Sequence, residues 1–490
     1  MPLVLGVDSS TQSTKVEVRD ADTGALVASG RAPHPPTTPP RSEQDPAAWW
    51  AALQEACAGA GLGPAATGSG ARRVAAASIA AQQMGLVALD AQWKVVRPAK
   101  LWNDTESAPQ ARRLVETLGP AAWAQACGSV PVASFTITKL AWLAEREPAS
   151  WARLAHACVP HDWLTWRLTG RFVTDRGDAS GTGWWSPAEE TYREDLLALV
   201  AGDCDWRAAL PEVLGPLEAA GPLAPDAARD LGAAPGAVAA AGTGDNMAAA
   251  LGAGLGPGDV AISLGTSGTV YAVADRAVMD PTGLVGGFAD ATGRFLPLAC
   301  TLNATKVTDT FARVLGLDRD AFDRAALEAP AGAGGLVLVP YLDGERTPNR
   351  PDARGVLAGL RSDVTPGQIA RASVEGVVCG LLDALDALAA AGVDTSGRLV
   401  LVGGGARSRA YRRAVADLAG RPIRVPRDEE LVAKGACVQA AAVLHGRPPA
   451  AIARAWRGED DVVDPDPAID APAIRAAYRR ARDAAYPVTA

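Results

Sequence analysis

The chain has 490 residues, of which 48% are hydrophobic and 21% are charged, and its formal net charge is −8. This length suits two large domains, and the acidic balance argues against a nucleic-acid binder, which would carry a basic face. The seven cysteines are scattered without a C-x-x-C pair, a pattern typical of a reduced protein without a structural zinc site. No apolar run of about 20 residues and no basic leader is present, so we expect a cytoplasmic protein without a membrane span.

The first predicted element is a hairpin. Residues 4–7 form an apolar run typical of a buried strand, residues 15–18 alternate as a returning strand, and small hydroxyl residues separate them. Asp8 could offer a carboxylate oxygen to a magnesium ion, and the turn could offer N–H groups and hydroxyls to a phosphate. An ordinary hairpin with a polar turn explains these residues equally well.

Two stretches farther on have the composition of a sugar site. Gln83 follows a predicted strand at 74–79, where its amide could bond sugar hydroxyls, although a plain polar strand end is the favoured interpretation of this stretch alone. Trp102 and Asp104 together offer an apolar face and a carboxylate, which suits a sugar. The alternative is a helix start that Asp104 or Thr105 caps.

A Gly-Thr-Gly turn at 242–244 ends another apolar run and leads into a predicted small-residue helix. Asp245 begins this helix, in a position suited to a general base. The local sequence equally permits an N-cap aspartate, and the two roles do not exclude each other. We place the domain boundary here, between an N-terminal domain at 1–245 and a C-terminal domain at 246–490.

A second strand, small-residue turn and returning strand occupy residues 260–273. Its turn consists of Gly265, Thr266, Ser267 and Gly268. It matches the first hairpin in pattern but not in identity, and two such loops facing each other across a cleft could clamp a triphosphate. Later, a predicted strand at 398–402 leads through Gly404 and Gly405 into a helix, a geometry that presents free N–H groups to a phosphate.

These elements occur in one order over nearly the whole chain, and they resemble the FGGY family of carbohydrate kinases, most closely its xylulose-phosphorylating members. Residues 134–145 resemble one family signature, with Lys139 and Trp142 in the expected places, and residues 355–375 resemble another throughout. The resemblance implies an α/β fold with two ribonuclease-H-like domains of the actin and hexokinase type and an interdomain cleft. It assigns sugar binding and the phosphate loop to the N-terminal domain and nucleotide binding to the C-terminal domain.

The resemblance also implies ATP-dependent phosphorylation of a ketopentose, D-xylulose above all, with Mg2+ as cofactor. Asp245 matches the catalytic base, and Asp8 matches the acid that supports magnesium and the triphosphate. The candidate sugar ligands are Gln83, Met84, Trp102, Asp104, Asp245 and Asn246. The candidate nucleotide ligands are Ser10, Thr11, Thr14, Lys15, Gly265, Thr266, Ser267, Gly404, Gly405 and Arg409.

Three residues depart from the family pattern. Met84 stands where a histidine is expected, Glu106 where an arginine is expected, and Lys434 where an apolar residue is expected. The first departure leaves open a kinase for another sugar or polyol, such as ribulose, ribitol or glycerol. A nucleotide-binding regulator without turnover is the rival from another class. The expected partners are a sugar and ATP, with no nucleic acid or membrane, and a homodimer is left open.

Overall fold

The structure is a computed structural model that describes residues 2–63, 73–202 and 204–487. The chain divides into two compact units. Unit 1 comprises Met1–Gly256, Asp275–Leu296 and Glu430–Arg457. Unit 2 comprises Pro257–Ala274, Pro297–Glu429 and Gly458–Ala490. Each unit therefore collects distant segments of the chain, whereas the sequence suggested one division after residue 245, and the functions assigned to the two halves stay predictions.

The strands and helices are numbered along the chain. The strands are β1 Leu3–Ser9, β2 Ser13–Asp20, β3 Leu26–Pro33, β4 Glu43–Gln44, β5 Val74–Ala81, β6 Val87–Leu89, β7 Ala99–Lys100, β8 His156–Cys158, β9 Val173–Asp175, β10 Trp185–Ser186, β11 Thr191–Tyr192, β12 Glu212–Leu214, β13 Ala219–Pro222, β14 Ala233–Ala240, β15 Thr243–Gly244, β16 Val260–Leu264, β17 Gly268–Ala272, β18 Gly286–Ala289, β19 Phe295–Thr301, β20 Val337–Val339, β21 Val356–Ala358, β22 Leu399–Val402, β23 Ile423–Pro426 and β24 Asp460–Val463. The helices are α1 Pro46–Gly59, α2 Ala108–Leu118, α3 Pro120–Cys127, α4 Thr136–Arg146, α5 Pro148–Trp151, α6 Pro160–Thr169, α7 Arg176–Ser180, α8 Glu194–Ala198, α9 Trp206–Ala209, α10 Pro225–Asp230, α11 Asp245–Gly252, α12 Thr305–Leu315, α13 Arg319–Glu328, α14 Pro366–Ala390, α15 Arg409–Ala419, α16 Leu431–His445, α17 Pro449–Ala455 and α18 Ala471–Ala485.

A mixed sheet forms the centre of unit 1, with the strand order β13-β14-β5-β1-β2-β3 and with β15 added beside β5. β1 pairs antiparallel with β2 and parallel with β5, and β5 continues parallel to β14. Strands covered on both faces need apolar residues on both, which explains the apolar run at the start of the chain. Trp49 of α1 and Trp163 of α6 meet edge to face in this core, with ring centroids 6.2 Å apart.

The sheet of unit 2 repeats this topology. Six of its seven strands follow the order β24-β23-β22-β16-β17-β19, with β16 antiparallel to β17 and parallel to β22. Six strands therefore have the same order and the same relative directions in both units. The repeat confirms the predicted α/β fold class of two ribonuclease-H-like domains, and it confirms both predicted hairpins.

All seven cysteines are free thiols, and six of them are buried. Burial raises the pKa of Cys57 to about 12, and such a thiol is unreactive at neutral pH. Within the residues that the structure describes, no helix has both the length and the hydropathy that crossing a lipid bilayer requires.

Candidate active site

Asp8 lies near the end of β1, directly opposite Lys15 on β2. Its side chain is almost completely buried; Oδ1 accepts a hydrogen bond from the Ser10 hydroxyl, and Oδ2 lies 3.8 Å from Lys15 Nζ. Burial raises the pKa of Asp8 to about 6, although Lys15 and Ser10 favour its charged form. Because burial disfavours the charged form of this carboxyl group, a further cation would stabilise it. This is expected of a residue that supports a divalent ion.

The other predicted phosphate ligands of this hairpin differ in accessibility. Lys15 Nζ donates to Glu430 Oε2 at 2.6 Å, just before α16 begins. Ser10 is partly exposed at the turn, and its backbone N–H closes the turn on the Ser13 carbonyl. Thr14 is completely buried, and its hydroxyl hydrogen-bonds His34 Nε2 at 2.8 Å. Thr14 thus supports the hairpin from inside the unit.

Asp245 is the first residue of α11 and not its N-cap. The N-cap is Gly244, with φ −68° and ψ 154° and no side chain to cap the helix, so the N-cap interpretation of Asp245 is wrong. Asp245 Oδ1 accepts hydrogen bonds at 2.8 Å from both the backbone N–H and the Nδ2 of Asn246. Asn246 Nδ2 also donates to Gln83 Oε1 at 3.0 Å. Residues predicted from two separate stretches, Gln83 from one and Asp245 and Asn246 from the other, therefore form one hydrogen-bonded set.

The charges around Asp245 favour its protonated form. Burial raises the pKa of Asp245 to about 7, and the negative charges of Asp8 and Asp178 add to this effect. The two hydrogen bonds from Asn246 act in the opposite direction. A carboxyl group with a pKa near neutrality is suited to accept a proton from a hydroxyl and to release it later.

A buried charge cluster beside this set is absent from the sequence prediction. His161 is completely buried, with Nδ1 2.6 Å from Asp178 Oδ2 and Nε2 3.3 Å from Asp162 Oδ1. Although burial opposes its charging, Asp162, Asp178 and Asp175 together raise the pKa of His161 to about 10. Asp175 also accepts a hydrogen bond at 2.7 Å from Thr243, two residues before Asp245. The sequence signal that could have indicated this cluster is the run of three aspartates, at 162, 175 and 178, that follows His161.

Trp102 is partly exposed, whereas Asp104 is completely buried. The Trp102 indole N–H donates to the Thr11 hydroxyl at 2.9 Å, which connects this partly exposed ring to the first hairpin. Asp104 is completely buried, and its Oδ2 accepts from the Ser42 backbone N–H at 2.9 Å and from Lys100 Nζ at 3.0 Å. The Asp104 carboxylate therefore binds groups within unit 1. The helix-start alternative for Asp104 is also wrong, because α2 begins only at residue 108.

Lys100 explains the departure at position 106. Its Nζ lies 2.6 Å from Glu106 Oε2 and 3.2 Å from Glu43 Oε1, and 3.9 Å from the centre of the Trp142 ring. Glu43, Asp104 and Glu106 lie close enough together to hold a metal ion, but the buried ammonium group already lies among them. The cluster is therefore an ion-pair network in which Lys100 contacts all three acids.

The other two departures, Met84 and Lys434, are buried. Met84 has a left-handed backbone with φ 61° and packs against Gly181, where an added Cβ would lie 3.2 Å from the Met84 Cγ. Its thioether therefore lies at the C-terminal end of α7, near the Asp245 set. Lys434 is buried within α16.

Unit 2 contains a cavity of about 500 Å³. Its lining residues include the predicted Gly265, Thr266, Gly404 and Gly405. Among the residues that the structure describes, Ser267 and Arg409 lie outside this lining. Sequence reasoning missed the residues that α12, α13 and α15 contribute. These are Thr305, Thr308, Asp309, Ala312, Arg319, Asp320, Phe322, Asp323 and Tyr411.

Two strand ends shape this cavity. The turn after β16 is held by a hydrogen bond from the Thr305 backbone N–H to the Gly265 carbonyl at 3.0 Å. The turn after β22 begins at Gly403, whose φ of 86° favours glycine. Asp323 accepts from the backbone N–H of Arg409 at 3.0 Å, which fixes the start of α15. The cavity lining thus combines glycine backbone with aromatic and carboxylate side chains.

Both halves of the chain match models of one family. The N-terminal domain model of the FGGY family of carbohydrate kinases matches residues 3–252, and the C-terminal domain model matches residues 260–444. The xylulose kinase of Streptomyces coelicolor is 52% identical over 459 residues, which cover 93% of this chain and 91% of that protein. The xylulose kinase of Streptomyces rubiginosus is likewise 52% identical over 456 residues, with the same coverage of 93% and 91%.

Solved structures agree with this match. The crystal structure of xylulose kinase from Bifidobacterium adolescentis has a TM-score of 0.84 and 42% sequence identity, and the match covers 98% of this chain and 99% of that one. The two family models together span most of the chain, and the likeness in structure extends over nearly all of it. The chain therefore belongs to the FGGY family of carbohydrate kinases, and it is a sugar kinase.

Proposed function

We propose that the protein transfers the γ-phosphoryl group of ATP to a terminal hydroxyl of D-xylulose, forming D-xylulose 5-phosphate and ADP. The observation that carries this proposal is the hydrogen-bonded set of Asp245, Asn246 and Gln83, in which the carboxyl group has a pKa of about 7. The choice of sugar is supported by the 52% identity to two Streptomyces proteins named xylulose kinase.

In this proposal Asp245 acts as the general base. Asn246 holds Asp245 Oδ1 with two hydrogen bonds, so Oδ2 is the oxygen directed at the sugar hydroxyl. As the hydroxyl oxygen attacks the γ-phosphorus, Asp245 takes the hydroxyl proton, and the bond from phosphorus to the bridging oxygen of ADP breaks. The Gln83 amide, held by Asn246, orients the sugar.

The first hairpin is proposed to bind the phosphates together with a magnesium ion. Asp8 fits this role because it is a buried carboxylate with a raised pKa, and its negative charge in turn raises the pKa of the Asp245 carboxyl group. When bound, magnesium would neutralise charge on the phosphate oxygens. Lys15, the Thr11 N–H group and the hydroxyls of Ser10 and Thr11 would bind the remaining oxygens.

The cavity of unit 2 is proposed to bind the adenosine part of ATP. Gly404 and Gly405 present backbone without side chains, which lets a flat base lie close to the chain. Phe322 and Tyr411 supply apolar surface, and the Asp309 carboxylate can accept hydrogen bonds from ribose hydroxyls.

The test is ADP release from Mg-ATP with a panel of D-xylulose, D-ribulose, ribitol, glycerol and gluconate. We expect a strong preference for D-xylulose. Asp245→Asn should lower kcat by at least about a thousandfold while ATP still binds, since the proton acceptor is lost. Asp226→Asn, which changes an exposed aspartate of α10, is the control and should leave kcat unchanged.

Two results would contradict the proposal. Tight ATP binding without turnover of any acceptor would favour a nucleotide-binding regulator. Preference for another acceptor would favour the second candidate, a kinase for a different ketose or polyol. That candidate is supported by Met84, because a thioether offers a sugar hydroxyl only a weak acceptor in place of an imidazole. In that case Met84→His should shift the preference toward D-xylulose.

A further inference from the structure

Gln439 is a buried amide of α16 that forms two hydrogen bonds to different parts of unit 1. Its Oε1 accepts from the Ser78 hydroxyl of β5 at 2.8 Å. Its Nε2 donates to the backbone carbonyl of Gly242 at 3.1 Å. The residue is only 3% exposed, so both bonds are protected from competition with water.

Both partners of Gln439 belong to segments that lead into the candidate active site. Ser78 is on β5, and the chain continues from the end of this strand to Gln83. Gly242 lies three residues before Asp245. A single side chain therefore connects the strand that leads to the proposed sugar-orienting amide with the turn that leads to the proposed base.

The helix that carries Gln439 is held firmly in place. A Cβ atom built on Gly6 of β1 would lie 2.0 Å from the Ala433 carbonyl oxygen of α16. A Cβ atom on Gly435 of α16 would lie 1.9 Å from the Ala248 carbonyl oxygen of α11. Such backbone-to-backbone contacts leave no space for sliding, so α16 is a rigid support for Gln439.

The turn that Gln439 holds has few alternative positions. Gly242 has φ 85°, and a Cβ there would lie 2.6 Å from the His161 ring and 2.7 Å from the Ile79 carbonyl oxygen. Thr243 and Gly244 then pair with the end of β5. The Gly242 carbonyl accepts the hydrogen bond from the Gln439 amide. Rotation of the Gly242–Thr243 peptide would tilt the first turn of α11 and move Asp245.

We propose that Gln439 is a positioning residue for Asp245. It fixes the Gly242 peptide and thereby the distance and angle between the Asp245–Asn246 pair and Gln83. The inference rests on the proposed function in one respect, namely that Asp245 is the base. It adds that a residue near the end of the C-terminal family domain sets the geometry of a base that lies in the N-terminal one.

Gln439→Met tests this inference, because methionine has a similar length and lacks the amide. We expect kcat for D-xylulose to fall about 10- to 100-fold, since a small misplacement of a catalytic group costs rate, while the KM for ATP changes less than about twofold. ADP release in the absence of sugar, which reports transfer to water, should stay at the wild-type rate. A merely structural loss would lower both rates together, because less enzyme would be folded.

Cys437→Ala is the matched control. Cys437 lies two residues before Gln439 on α16, is fully buried and contacts the Glu17 carbonyl through its thiol. Its loss disturbs the packing of α16 but leaves the Gln439 bonds, so kcat should be unchanged. Ser78→Ala is the second variant, in case Gln439→Met does not fold. It frees the amide oxygen, and we expect a three- to tenfold loss of kcat in the same pattern.

The inference is overturned if Gln439→Met keeps kcat within about twofold, or if it lowers transfer to sugar and to water equally. It is also overturned if Cys437→Ala causes the same loss, or if Gln439→Met fails to fold and Ser78→Ala keeps full kcat. The proposed function is tested separately by the wild-type enzyme, because inactivity of the wild type on D-xylulose would contradict that function whatever the variants do.

Discussion

Burial and charge are in conflict at Asp245 in the proposed site. Its carboxyl group is desolvated and lies near the charges of Asp8 and Asp178, which together hold its pKa at about 7. In the unfolded chain the pKa of the same group would lie near the ordinary value of an aspartate, 3.8. The folded protein thus keeps a group that would be more stable in water, as often occurs where a site is organised for chemistry.

This conflict makes a prediction for stability. Between pH 4 and pH 7 the folded state binds the Asp245 proton more tightly than the unfolded state, so stability falls as pH rises through this range. Asn cannot ionise, and Asp245→Asn should therefore raise the thermal midpoint of the ligand-free protein by several degrees at pH 8 and by little at pH 5. Thermal unfolding at both pH values checks this, with Asp226→Asn as the control. An equal increase at both pH values would show that the pKa of Asp245 is not raised.

The sequence predicts the residues at strand ends better than it predicts their partners. Asp8, Gln83 and Asp245 follow apolar runs, and the structure brings the last two together through Asn246. The sequence could not show that Asp104 is completely buried, because its partner Ser42, 62 residues away, reaches it only through tertiary packing. Burial of a polar residue depends on the whole fold, whereas a strand end is visible in a short window.

The elements of the site are arranged by close packing against α16. This helix contacts β1 through Gly6 and α11 through Gly435 and Gly252, which permit backbone contacts that any larger residue would block. The small residues from Lys434 onward are typical of a helix, but they do not reveal that residues 430–457 return to unit 1. Long-range returns of this kind leave no periodic signal, since periodicity reports only the face that a helix buries.

Gly435→Ala tests the importance of this contact. The new Cβ would lie 1.9 Å from the Ala248 carbonyl oxygen, and backbone atoms on both sides would have to move. We expect a loss of at least about 2 kcal/mol in the free energy of unfolding. Gly59→Ala, where the added Cβ would meet its nearest neighbour at 3.7 Å, is the control and should be neutral or slightly stabilising. Equal stability of the two variants in denaturant unfolding would show that α16 and α11 have room to separate.

The whole molecule is built from two copies of one topology that differ in chemistry. Six strands correspond in order and direction, yet the first hairpin of unit 1 carries Asp8 and Lys15, whereas that of unit 2 carries Gly265 and Thr266. The repeat was predictable from two similar hairpin patterns together with the family resemblance. The contribution of α12 and α13 to the cavity lining was not predictable. These helices are distant from β16 in the sequence, and only the tertiary fold places them beside it.

Because the two units differ in chemistry, we predict that one substitution in unit 2 can weaken nucleotide binding without unfolding the protein. A Cβ atom on Gly404 would meet no other atom within 4 Å, so Gly404→Val should fold normally, while its side chain occupies cavity space proposed for adenosine. For the wild type, Mg-ADP at one hundred times its Kd should stabilise the fold by about 2.7 kcal/mol. In Gly404→Val the Kd should rise at least about tenfold, and the same ADP concentration should give a smaller increase in thermal midpoint.

Gly202→Val is the matched control, because a Cβ there also meets nothing within 4 Å and the residue belongs to unit 1. It should keep both the midpoint of the ligand-free protein and its full response to ADP. If Gly404→Val also keeps the full response, the adenosine part does not bind against the glycine turn, and the assignment of the cavity is wrong. A side chain in open space should cost no stability. If Gly404→Val lowers the thermal midpoint of the ligand-free protein, Gly404 is therefore needed for folding, and the prediction that binding can be weakened separately is wrong.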